Sequence, residues 1–169
     1  MLHPFYVRDA IIAGSTGRIV MILLIYGGPF IGLPNIDVIS ILGSVATANK
    51  QAAVTLGGAI HFMMGIIFAL IYALLWSLGI GSATWWWGLI FGAIHGMLIL
   101  LLLALSILLY PRLSRMVSRQ LMNESGAPAS NKTEPLLPQM VSKPMMMVTV
   151  FINHMIFGLV VALVYTAQR

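Results

Sequence analysis

Three of the chain's four histidines, His61, His95 and His154, sit inside long apolar runs, as does one arginine, Arg18. An imidazole buried in lipid can bond to a neighbouring helix or ligate a haem iron or a metal. The spacing around these residues narrows the choice. His61, Gly65, Ala69, Leu70 and Tyr72 spell the motif His-x-x-x-Gly-x-x-x-Ala-Leu-x-Tyr, and His154, Gly158, Ala162, Leu163 and Tyr165 spell it again. At about 100° per helical residue, the His, Gly, Ala and Tyr positions share a stripe roughly 80° wide. His95 shares a second context with His61: residues 58–63 read GAIHFM and residues 92–97 read GAIHGM.

The plain chemistry for such rings is a hydrogen bond to a carbonyl or hydroxyl of the next helix, worth about 0.6 kcal/mol and fixing orientation. The sharper alternative is b-type haem held by two histidines. His61 and His154 then serve at similar depth in parallel helices, and His95 can replace either. Joint His and Met metal ligation is disfavoured. Met63, Met97 and Met155 follow their histidines by one or two residues and so point about 100° or 200° away. The twelve methionines read instead as adaptable packing side chains, and the absence of cysteine excludes disulfides, Cys-ligated zinc and iron–sulfur ligation.

Arg18 is the costly residue, at about 2.5 kcal/mol or more on insertion scales unless it snorkels or finds a partner. All four acids, Asp9, Asp37, Glu124 and Glu134, read as lying outside the spans, and Asp9 is about 180° around the helix from Arg18. Arg18 is therefore expected to reach headgroups or its own chain's carbonyls, or to contact a lipid or a partner subunit.

The elements that hold these residues follow from composition. With 60% hydrophobic and 8% charged residues, the chain cannot be an ordinary soluble domain, in which about a quarter of residues are charged. Apolar runs at about 10–33, 51–78, 82–110 and 145–167 each exceed the roughly 20 residues needed to cross the hydrocarbon core. They must be helices, because strands of a closed barrel would alternate in polarity and these do not. The first run lacks a small-residue cleavage site, so it reads as a retained helix ending at Gly27, Gly28 and Pro29.

With four spans, Lys50, Arg112, Arg115, Arg119, Lys132 and Lys143 fall on one side of the membrane, and Arg8 and Arg169 on the other. The positive-inside rule then makes the two longer loops cytoplasmic and puts both termini outside, in a bacterial inner membrane. Arg112, Arg115 and Arg119 alternate with Leu113, Met116, Val117 and Leu121, which suits a basic amphipathic helix on anionic lipid. No base-stacking aromatics accompany these arginines, so the net charge of +5 is no sign of nucleic-acid binding. A short interfacial helix is expected over 35–45, capped by Asn35, and a linker with little intrinsic structure over 123–144. Trp85, Trp86, Trp87 and Trp76 fit an aromatic belt at the terminal side.

Small residues four apart let helices approach closely in lipid. Gly57, Gly65 and Ala69 on the second span, Gly88 and Gly92 on the third, and Gly158 and Ala162 on the fourth therefore predict the packing faces. The fold class expected is an all-α membrane protein. It is a four-helix transmembrane bundle of two similar helical hairpins related by an axis along the membrane normal.

Several of these residues also carry a resemblance. Gly14, Val20-Met21, residues 32–37 (GLPNID) with Leu42-Gly43, His61-Phe62 through Tyr72, Gly88 through His95, and His154 through Tyr165 resemble an uncharacterised family. Its members are small four-span bacterial integral membrane proteins with repeated His/Gly helix motifs. The resemblance covers all four spans and implies that architecture, without an activity. Arg18 and the long polar loop depart from the pattern.

Three function classes remain. A non-catalytic accessory or assembly subunit of a larger, energy-converting membrane complex needs only a compact bundle, and its partners are lipids and other membrane subunits. A haem b or quinone-associated electron carrier would rest on the histidines alone. A small transporter would need a polar pathway, and the lack of intramembrane acids weakens any cation-coupled version. No nucleophile, base and orienting acid can be assembled, so an enzyme is not expected.

Overall fold

The computed structural model describes residues 4–31, 38–44, 46–47, 49–109 and 144–169. Among these there are five α-helices and no strand: α1 (Val7–Gly27), α2 (Val38–Ser44), α3 (Lys50–Ser77), α4 (Trp85–Leu109) and α5 (Pro144–Ala167). Four are long and apolar enough to cross a membrane, over Val7–Phe30, Lys50–Ser77, Trp85–Leu105 and Met145–Ala167. The chain is a multi-pass helical membrane protein. Arg112, Arg115 and Arg119, Asn35 and the expected linker lie outside the described residues.

The helix ends have local causes. Pro29 cannot donate a backbone hydrogen bond, and the chain tightens there into a 3-10 turn over Gly28–Ile31. Asn49 caps α3, its side chain accepting from the Ala52 backbone N–H at 3.1 Å. At the other end of α3, Gly79 takes φ +84°. That left-handed residue lets Ile80 N–H reach the Leu75 carbonyl at 2.9 Å and Gly79 N–H reach the Trp76 carbonyl at 3.1 Å. This double bond pattern ends a helix and satisfies its last carbonyls.

The spans pack in the order α3, α1, α5, α4 around the bundle. Glycine makes three of these contacts close. A Cβ added at Gly14 would lie 2.8 Å from the Ala69 Cβ and the Gly65 carbonyl oxygen, and one added at Gly88 would lie 2.5 Å from the Gly158 carbonyl oxygen. Gly17 of α1 meets Phe157 of α5, where an added Cβ would stand 2.9 Å from the ring. The α3/α4 contact closes differently, through Tyr72, Trp76, Phe68, Phe91 and His95. The core is this aromatic set together with Phe157, Val161 and Tyr165.

Helix α2 is the short first-loop helix expected over 35–45, described over Val38–Ser44. It runs against the first two turns of α3, with Gly43 on the Ala53 carbonyl and Gly57 on the Ile39 carbonyl, at positions where no Cβ fits. Gly57 thus packs on α2 and not on another span. Trp85 and Trp86 are exposed, as a headgroup belt requires, whereas Trp76 is buried in the core.

Candidate functional site

Arg18, His61, Tyr72, His95 and His154 form a polar layer of two groups inside the bundle, each residue 6% exposed or less: Arg18 with His61, and Tyr72 with His95 and His154, with the Phe157 ring between them. The register of the hairpins builds it. Antiparallel α1 and α3, fixed by Gly14 on Ala69, place Arg18 one turn further along against Gly65, whose missing side chain leaves room for the guanidinium. His61 lies about eleven residues into α3, roughly 16 Å along the helix and well inside the membrane.

Arg18 Nη1 donates to His61 Nε2 at 2.9 Å and contacts the Met21 sulfur at 3.1 Å. Its guanidinium carbon also stands 5.0 Å from the centre of the Phe157 ring. A hydrogen bond from a charged donor contributes about 1.5–3 kcal/mol, and a desolvated cation–π contact about 2 kcal/mol. Together these offset an insertion cost of roughly 2.5–3.5 kcal/mol. The expectation that Arg18 contacts lipid or a partner subunit is corrected here, because its partners are His61, Met21 and Phe157 of its own chain and it is 1% exposed.

Hydrogen-bond logic assigns one tautomer to all three rings. A guanidinium only donates, so His61 Nε2 accepts and the ring proton is on Nδ1. His154 Nδ1 lies 2.7 Å from the Val150 carbonyl, which only accepts, so that nitrogen also carries a proton. The Tyr72 hydroxyl donates to the Phe91 carbonyl at 3.0 Å, which leaves His95 Nδ1, at 3.2 Å, to donate to the tyrosine oxygen. Within the layer, Arg18 Nε, His61 Nδ1 and His95 Nε2 are buried without a partner among the described residues.

The layer has a fixed cation and three imidazoles, and no carboxylate among the described residues bonds to it. Asp9, expected outside the spans, is in fact buried in the first turn of α1, where the helix N-terminus favours an acid, and pairs with Arg8 at 3.2 Å. No group of three His, Asp or Glu among the described residues could hold a metal ion. His95 and His154 touch edge to face with centroids 4.7 Å apart, leaving no slot for a porphyrin between them, and His61 Nε2 is held by Arg18.

The structure puts His95 and His154 in ring contact and His61 on Arg18, and adds Arg18 and Tyr72 to the three histidines. Arg18 enters through the Gly14 to Ala69 register of α1 on α3, which no sequence pattern announces. Tyr72 belongs to the repeated motif, yet its bonds to Phe91 and His95 cross to another helix and leave no sequence signal. Comparison with protein-family models, curated proteins and solved structures finds no match for this chain.

Proposed function

We propose that the chain is a non-catalytic subunit of a larger membrane complex, an accessory or assembly component whose business is lateral contact. One observation carries this reading: the mid-membrane charge, Arg18, is bonded within the chain and 1% exposed, so it holds helices together and is not presented to a substrate. What the bundle does present is apolar surface, including Leu23 on α1, Leu74 on α3 and Met97 on α4. A rigid bundle with such flanks suits docking against other spans. The likeness to small four-span bacterial proteins and an orientation with the basic loops cytoplasmic belong to the same proposal. Because the chain has no cysteine, Ser130→Cys and Ser82→Cys report that orientation. Labelling of Ser130→Cys by an impermeant reagent in intact cells would reverse it.

The functional test is purification in mild detergent combined with cross-linking from single cysteines at exposed Leu23 and Ile94. A colourless protein that co-purifies with larger membrane subunits and cross-links to one of them from one face is the expected result. A stable monomer that cross-links to nothing overturns it.

A second reading is favoured by the unpartnered Arg18 Nε, His61 Nδ1 and His95 Nε2. Transporters bind their substrates near the bilayer midplane, and a layer with a cation and no acid suits a neutral or anionic solute. Solute uptake into proteoliposomes that disappears in Arg18→Gln would establish it over the first.

A further inference from the structure

The seam between α3 and α4 changes character along its length. On α4, Phe91, His95, Leu98, Leu102 and Leu105 follow at alternating steps of four and three and so share a helix face. Phe91 and His95 are buried against α3, whereas Leu98, Leu102 and Leu105 are between 41% and 47% exposed. The facing stripe of α3 behaves alike, with Tyr72 and His61 buried and Val54 exposed. The members that α3, α4 and α5 give to the buried apolar cluster all lie between the histidines and the end of the bundle that carries the termini. The α3 and α4 backbones scarcely approach one another. Rings close the terminal half of the seam, and the other half is a cleft whose mouth is continuous with lipid-facing Met97 and Leu101.

One polar side chain stands at the head of this cleft. Asn153 of α5 lies one turn from Phe157 on the same face, and Phe157 points between α1, α3 and α4, where it meets Arg18, Tyr72 and His95. Asn153 therefore turns into the bundle just beyond that ring, on the cleft side. It is 8% exposed, and no described residue bonds its amide. Arg18 Nε, His61 Nδ1 and His95 Nε2 are sealed from any opening, but the amide atoms of Asn153 are not among these sealed groups and keep access to the space beside them. An amide offers two hydrogens and a carbonyl oxygen, and leaving them unpaired away from water is costly. The group calls for a partner in the cleft. A span of another subunit does not suit a cleft that covers half the membrane, since it would meet the closed Phe68 and Tyr72 rings in the other half. Apolar walls and a mouth on lipid select against a water-soluble solute.

We propose that the α3/α4 cleft binds a lipid-soluble molecule bearing a carbonyl or hydroxyl group, with that group on the Asn153 amide and its apolar body between Val54, Leu98 and Leu105. The site does not depend on the subunit reading and stands with either function. Its test is native mass spectrometry of the purified full chain, delipidated and titrated with decylubiquinone or its quinol, with decylbenzene as the control that lacks any hydrogen-bonding group. Retention of the quinone or quinol over decylbenzene is expected, falling about five- to tenfold in Asn153→Leu, which keeps the volume and removes the amide. Leu98→Trp should fill the cleft and abolish retention, whereas Leu101→Trp, on the lipid face of the same helix, should leave it unchanged. Thermal stability without added probe separates binding from structure: because the amide is unpaired, Asn153→Leu should be at least as stable as the wild type. Equal retention of all three probes would assign an apolar chain and overturn the proposal. So would unchanged retention in Asn153→Leu or Leu98→Trp, or a loss of stability in Asn153→Leu, which would mark the amide as a structural bond.

Discussion

In the α4/α5 hairpin, Gly88 and Gly92 face Gly158 and His154, and the two backbones touch. In the α1/α3 hairpin the corresponding pairs are Gly14 against Ala69 and Arg18 against Gly65 and His61, and a side chain fills the groove. The same His-x-x-x-Gly-x-x-x-Ala motif thus serves two purposes. Where its neighbour is glycine, the motif glycine brings helices together and the histidine bonds its own helix at Val150. Where its neighbour is arginine, the motif glycine makes space and the histidine becomes an acceptor across the interface. A repeated motif specifies a surface, and the facing residue decides what that surface does.

The largest expected effect lies at the backbone contact. Gly158→Leu or Gly88→Leu must separate α4 from α5, since even a Cβ at either position meets the opposing backbone. A loss of about 3 kcal/mol or more is expected in reversible unfolding in mixed micelles.

Removing the acceptor in the other hairpin should come next. His61→Ala leaves a buried guanidinium unpaired and should cost about 3 kcal/mol, whereas His154→Ala, which loses a bond within its own helix, should cost about 1 kcal/mol. The cycle of Arg18→Ala with His61→Ala should show a coupling of at least about 1.5 kcal/mol. Equal costs for the two histidines, or no coupling, would erase the contrast between the hairpins.

Gly65→Ala sharpens it further. The new methyl would sit 2.5 Å from Arg18 Nε, so its cost of about 1–2 kcal/mol should largely vanish in an Arg18→Ala background. Gly158→Ala meets backbone and should find no such relief. The smallest effect is expected at Gly58→Ala, within about 0.5 kcal/mol, because among the described residues the only neighbour of an added Cβ is Ile39 at 3.9 Å. Gly79 is a poor control for these series despite its open surroundings, since its φ of +84° strains any side chain.

Much of this architecture was legible beforehand, for reasons tied to particular residues. Gly65, Gly88, Gly92 and Gly158 were readable as contacts because helical periodicity assigns each residue to a face. Periodicity assigns no neighbour: Gly57 is a helix contact, as its stripe implies, but that its partner is the seven-residue helix α2 follows only from the fold. Trp76 was misplaced in the aromatic belt because an indole looks alike at an interface and in a core, and only the distance to Phe91 and Tyr165 distinguishes them. Arg18 looked unpartnered because acids were the partners sought, and a neutral imidazole lone pair served instead.

Sequence by itself determined that the chain enters the membrane, how many spans it has and which faces those spans turn inward. These follow from composition and from a 3.6-residue period, both local quantities. Only the tertiary structure decided which faces meet, that Arg18 lies within the bundle, and that Tyr72 and His95 bond across the aromatic α3/α4 seam. Such outcomes depend on register between segments distant in the chain, where a shift of one helical turn would exchange every partner while leaving each helix's own pattern unchanged.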